Sequence, residues 1–123
     1  MSLAQQKIQP TVEGNLIKTV KVGLYEIPLK EVLSDAKHGD HTHFQVIICT
    51  VTCNDGTQGV GYTYTGGKGG TAIYHLIKDE LAPMLEGRNA TTIEKLWEDM
   101  QYHLHYVGRG GLVSFAISAL DIA

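Results

Sequence analysis

The 123-residue sequence predicts an α+β domain: a three-stranded antiparallel meander followed by helices. Two observations predict it. Between Leu16 and Thr65 the apolar residues fall in short β-branched runs separated by turn signals. From Thr71 onward they recur at helical spacing. Strands first and helices after give a small sheet with helices packed on one of its faces.

Residues 1–15 are polar and lack the apolar core of a signal peptide, so they read as a flexible leader. Met1 to Leu3 resemble a cloning remnant. Residues 16–110 are expected to form the domain proper. Its first strand runs from Leu16 to Ile27, with Ile17, Val20, Val22 and Leu24 in an imperfect period of two. Pro28 is expected to end it. Pro28 to His43 is polar and exceeds the about 2–5 residues of a hairpin turn, so it reads as a long loop. Phe44 to Thr52 is the most strand-like run in the chain. Asn54-Asp55-Gly56 turns it back into a partner strand, Gln58 to Thr65. Gly59 and Gly61 in that strand imply a twist, a bulge or a close backbone approach.

Gly66 to Gly70 is a flexible loop. A helix follows from Thr71, with Ile73, Leu76, Ile77, Leu81 and Leu85 on one face, closed by Pro83 and Gly87. Thr92 is expected to cap a second helix that turns Ile93, Leu96, Trp97, Met100 and Leu104 inward. Gly108 to Gly111 break it. Residues 111–123 then form a helix that is apolar almost all round and carries no stop signal. The expectation is that this helix is truncated and packs on protein that lies beyond residue 123.

Hydrophobic residues make up 43% and charged residues 19%, the balance of an ordinary globular chain. A net charge of −3 opposes a nucleic-acid surface, which needs a basic patch. No apolar run is long enough to cross a bilayer. Cys49 and Cys53 share a strand face about 13 Å apart, too far for a disulfide. Both are expected as buried reduced thiols of a cytoplasmic protein.

The glycine cluster Gly59 to Gly70 fits neither nucleotide motif. Gly69 stands where a phosphate loop needs Ser or Thr, Tyr62 where it needs its first Gly, and Tyr64 where the dinucleotide fingerprint needs its third. What survives is Lys68 beside the free amides of the following helix, a pairing that could meet an anion. His38, His41 and His43, with Asp35 and Asp40, have ligand types that suit zinc, but no Cys or second spaced pair completes a site. Polar contact with a ligand, or plain solvation, is the better reading of that group. His103 and His105 read as cations at a helix end. The pairs Asp79-Glu80 and Glu98-Asp99 are adjacent on helices, do not face each other, and read as solvated.

The meander, the loop after its first strand, the run GVGYTYTGGKGG from Gly59 to Gly70, and GRGGLVSFAISALDIA at the end together resemble the N-terminal capping domain of the enolase superfamily, in its mandelate racemase/muconate lactonizing enzyme group. The run SDAK at Ser34 to Lys37, with GVGYTY at Gly59 to Tyr64, most resembles acid-sugar dehydratases of the talarate/galactarate type. The resemblance implies a (β/α)7β barrel, absent from this chain, that binds Mg²⁺ through three carboxylates. There a Lys or a His-Asp dyad removes the proton α to a carboxylate, and the metal stabilises the enediolate. No catalytic residue and no metal ligand carries over to these residues. Two loops do, Pro28 to His43 and Tyr62 to Thr71, which in such enzymes close over the barrel mouth. Lys37 and His38 on the first, and Tyr64 and Lys68 on the second, are the candidate substrate-binding residues. Their charge and hydroxyl groups suit a polyhydroxy acid. The expected partners are a small sugar-acid carboxylate, the C-terminal barrel domain and further copies in a homo-oligomer. A racemase or epimerase is the alternative within the family. A non-catalytic anion-binding module is the alternative in another class.

Overall fold

The computed structural model describes residues 14–123. The expected leader lies outside them except for Gly14 and Asn15, and Asn15 accepts a hydrogen bond from the Ala90 amide at 2.8 Å.

Strands β1 (Ile17–Asp35), β2 (Gly39–Cys53) and β3 (Gln58–Thr65) form one antiparallel sheet in the order β1-β2-β3. The meander stands as expected, but the long loop after the first strand does not. Pro28 pairs with His43, and β1 continues to Asp35 through a register shift between Pro28 and Leu33. The reason is position. β1 is an edge strand, where a residue without an N–H is tolerated, and an irregularity follows directly. The first loop is thus the far end of a β-hairpin, turning over residues 36–38.

On β2, Gln45, Ile47, Cys49 and Cys53 are buried beneath the helices. Opposite them on β3 stand Thr65 against Gln45, Gly61 against Cys49 and Gly59 against Val51. A Cβ at Gly59 would strike the Ala123 carbonyl, and one at Gly61 the Ala119 carbonyl. The strand glycines therefore serve close backbone approach, the third of the three expected uses.

A continuous helical rod follows: α1 (Gly70–His75), a π-helical stretch (Leu76–Leu81) and α2 (Ala82–Leu85). Its core residues Ile73, Ile77, Leu81 and Leu85 are spaced by four, and none is more than 3% exposed. In a pure α-helix that spacing drifts by about 40° per step. A wider π turn between two α segments rotates the series back. It also lies just before Pro83, which has no N–H for the Asp79 carbonyl. Each fully buried Ile or Leu here contributes roughly 1.5–3 kcal/mol.

Helix α3 (Ile93–His103) buries Leu96 and Met100. Thr92 is its first flanking residue, but its hydroxyl donates to the Asn89 carbonyl at 2.8 Å and caps nothing in the helix. A short 3₁₀ turn (His105–Val107) leads to α4 (Leu112–Ile122). α4 buries Val113, Ala116, Ile117, Ala119 and Leu120 within this domain. Of its apolar residues only Leu112, Phe115 and Ile122 stay open, at 45%, 43% and 62% exposure. The helix expected to need an outside cover thus finds most of it in its own sheet and rod. Among the described residues no helix is long and apolar enough to cross a membrane.

Both cysteines are free and buried. Burial pushes the Cys49 thiol up to about 12. Asp99, expected to be solvated, is instead paired with Arg88 at 2.7 Å and Lys95 at 3.1 Å.

Candidate functional site

The four candidate residues gather at one end of the sheet. At the hairpin tip, Asp35 accepts the Lys37 amide at 2.9 Å and the His38 amide at 2.6 Å, both on Oδ1. This local closure fixes the backbone that carries Lys37 and His38. The His38 ring returns to the same carboxylate, with Nδ1 at 3.0 Å from Oδ1 and 3.2 Å from Oδ2.

Tyr64 lies near the end of β3, is exposed and stacks on Phe44 with centroids 5.8 Å apart. Lys68 lies in the following glycine loop and borders a groove of about 740 Å³ between β3 and α4, shared with Tyr64, Ser114, Phe115 and Ser118. The loop is anchored from beneath. Buried Gln45 accepts the Thr65 hydroxyl and the Gly70 amide through Oε1, each at 2.8 Å. Thr65 in turn accepts the Gly67 amide at 3.1 Å. The Gly70 amide is therefore not free for an anion, which corrects the expectation of open amides at this helix start. Sequence reasoning missed Gln45. Its signal is a polar residue on the inward parity of an otherwise apolar strand.

The two loops meet through His41. Its Nε2 lies 3.1 Å from Asp35 Oδ2 and its Nδ1 3.1 Å from the Gly66 carbonyl. Its ring is edge-on to Phe44 at 5.8 Å and 6.2 Å from the His38 ring. His38, His41, Phe44 and Tyr64 so form a run of adjacent rings across the two loops. Asp35 is held well below the usual carboxylate range, first by the His38 amide and then by His41. The Asp35 carboxylate, then the Gly66 carbonyl, raise the pKa of His41. His43 lies against the same glycine loop, where a Cβ at Gly67 would stand 3.4 Å from its Nε2, and is 4.0 Å from Glu26.

Asp35, His38 and His41 place one potential ligand atom each within 4.8 Å of one another. Two imidazoles and one carboxylate do not fit Mg²⁺, which takes oxygen ligands. A separate hollow of about 210 Å³ lies at the opposite end of the sheet, lined by apolar groups such as Ile17, Leu85 and Leu96. Asp121 is the one charged side chain in its otherwise apolar lining, too little polar convergence for a binding site.

The domain is thus a three-stranded sheet covered by helices, with two polar loops meeting at one sheet end. Residues 21–123 match the model of the mandelate racemase/muconate lactonizing enzyme N-terminal domain. The chain belongs to that family and constitutes its N-terminal domain. It is 44% identical over 108 residues to a 3,6-anhydro-alpha-L-galactonate cycloisomerase of Streptomyces coelicolor, covering 88% of this chain and 30% of the relative. It is 36% identical over 115 residues to an L-talarate/galactarate dehydratase of Salmonella typhimurium, covering 89% and 29%. Among solved structures, an L-talarate dehydratase from Polaromonas sp. JS666 complexed with Mg and L-glucarate superposes with a TM-score of 0.83 at 30% identity, over 89% of this chain and 31% of that one. A racemase from Streptomyces coelicolor with bound magnesium gives 0.86 at 44%, over 88% and 30%. The chain thus spans about 30% of the length of the relatives it matches.

Proposed function

We propose that this chain is the capping domain of a cytoplasmic Mg²⁺-dependent enzyme that removes the proton α to a carboxylate and dehydrates an acid sugar. The observation that carries the reading is the placement of Lys37 and His38 on the hairpin tip, Tyr64 at the end of β3 and Lys68 on the glycine loop, all at one sheet end. Ammonium and imidazole groups suit a distal carboxylate, and the Tyr64 hydroxyl suits sugar hydroxyls. The loops bind and orient the substrate's polar end and exclude water. The barrel domain of the same polypeptide would supply the base and would hold the Mg²⁺, whose charge would offset the negative charge left by proton removal. The dehydratase relatives support an acid sugar as substrate.

The 44% identity to a cycloisomerase favours a second reading, isomerisation of an anhydro-sugar acid. One experiment addresses both. The full polypeptide carrying this chain is incubated with aldaric, aldonic and anhydro-aldonic acids in D₂O with and without Mg²⁺. Products are read by mass and proton NMR. Dehydration lowers the product mass by one water, whereas isomerisation keeps all heavy atoms and changes mass only by the deuterium taken up. Absence of Mg²⁺-dependent α-proton loss from every acid would overturn the reading.

A further inference from the structure

His41 lies between two groups that can only accept. The Gly66 carbonyl has no proton to give, and Asp35, held well below the usual carboxylate range, is ionised. A neutral imidazole has one N–H and can satisfy only one of them. At 3.1 Å on each side, both ring nitrogens need a proton. The carboxylates that face the ring are Asp35 and Asp40 from the hairpin, and the titratable ring beside it is His38 from the turn. From the second loop it meets the Gly66 carbonyl, and Lys68 is the charged residue that loop carries.

We infer that His41 is a positioning residue: as an imidazolium it clasps the hairpin tip bearing Lys37 and His38 to the glycine loop bearing Lys68. Its relevance to substrate rests on the proposed function, but the clasp itself does not. The clasp is complete while His41 is protonated and opens as pH rises through its raised pKa. Room for it depends on Gly66, where a Cβ would stand 3.0 Å from His41 Cε1.

Asp35→Asn separates this from a plain packing role. The asparagine Oδ1 can still accept the Lys37 and His38 amides. Its Nδ2 donates to a neutral His41 Nε2, and His41 Nδ1–H still reaches Gly66. The proton is then no longer needed. The test is a pH titration of the protein by long-range ¹H–¹⁵N NMR of the histidines, with the Gly67 amide as reporter of the Gly66 peptide. In the natural sequence the two signals should titrate together, with a midpoint above the ordinary value near 6.5. Asp35→Asn should lower the His41 midpoint below that value and leave the Gly67 amide in its closed position at pH 9. His41→Gln should abolish the titration of Gly67. A His41 midpoint at or below the ordinary value, a Gly67 amide that ignores it, or an unchanged midpoint in Asp35→Asn would each overturn the inference. In the full polypeptide the clasp predicts an alkaline rise in KM that Asp35→Asn removes, with kcat little changed. Failure to turn over any acid sugar would sink the proposed function and leave the NMR result standing.

Discussion

Replacing Gln45 by Leu should release the glycine loop from the sheet. Gln45 is 7% exposed and Thr65 8%. Its Oε1 accepts two donors at 2.8 Å, the Thr65 hydroxyl and the Gly70 amide. Leu has nearly the same size but no acceptor, so both donors lose their partner in a buried place. A buried orphan donor costs about 1–3 kcal/mol. The amide is fixed and bears its full cost, whereas the hydroxyl can rotate and recovers part. The expected loss is about 2–4 kcal/mol, or roughly 10–20 °C in Tm for a domain of this size. The assay is urea unfolding of the protein followed by far-UV circular dichroism. Gln58→Leu, at an exposed side chain that donates to Thr52, is the control and should stay within about 0.5 kcal/mol. Gly70→Ala should reproduce part of the effect, since its Cβ would lie 2.6 Å from Gln45 Oε1. If Gln45→Leu unfolds at the same urea concentration as Gln58→Leu, the loop is not anchored this way.

Three further outcomes follow from the packing. Gly61→Val should cost about 1–3 kcal/mol or more by pressing on the Ala119 carbonyl, while Tyr62→Val on the exposed face of the same strand should be far milder in the same unfolding assay. Cys49, fully buried with its thiol pushed up to about 12, should resist iodoacetamide at pH 8 in the native protein and react once urea unfolds it. Arg88, then Lys95, depress the pKa of Asp99, so its contribution is present above the ordinary carboxylate value and lost as pH falls through the lowered one. Asp99→Asn should therefore flatten the acid limb of a stability-against-pH curve and leave the alkaline limb unchanged.

The meander, the turn at Asn54 to Gly56 and the positions of the helices were legible because each rests on local periodicity or turn chemistry, but the inward face of α3 was only partly so: Leu96, Met100 and Leu104 are buried, whereas Ile93 and Trp97, expected inside, are exposed. The family was legible too, carried by the glycine and tyrosine run from Gly59 to Gly70. The hairpin extension beyond Pro28 was not, because a proline reads as a stop unless the strand is known to lie at an edge, and edge position is a property of the whole sheet. The π stretch was hidden for a related reason. Four-residue spacing of Ile73, Ile77, Leu81 and Leu85 looks helical whether the turn is tight or wide. At the site, the residue types and loops were readable. The pairing of Asp35 with His41, and of His41 with Gly66, was not, since the last joins residues 25 apart in the chain. Gln45 escaped because its partners lie 20 and 25 residues away.

The most direct measurement of the central claim is steady-state kinetics of the full polypeptide on the proposed acid-sugar substrate, set beside a Mg²⁺ titration, for Lys37→Ala, His38→Ala, Tyr64→Phe and Lys68→Ala. Loss of a charge-assisted hydrogen bond costs about 1.5–3 kcal/mol, so kcat/KM should fall roughly tenfold to a hundredfold in the charged-residue variants. Mg²⁺ affinity should stay at the wild-type value, because in the proposed function these loops contact substrate and the barrel holds the metal. Wild-type kcat/KM in all four variants, or a collapse of Mg²⁺ binding in His38→Ala, would contradict the account.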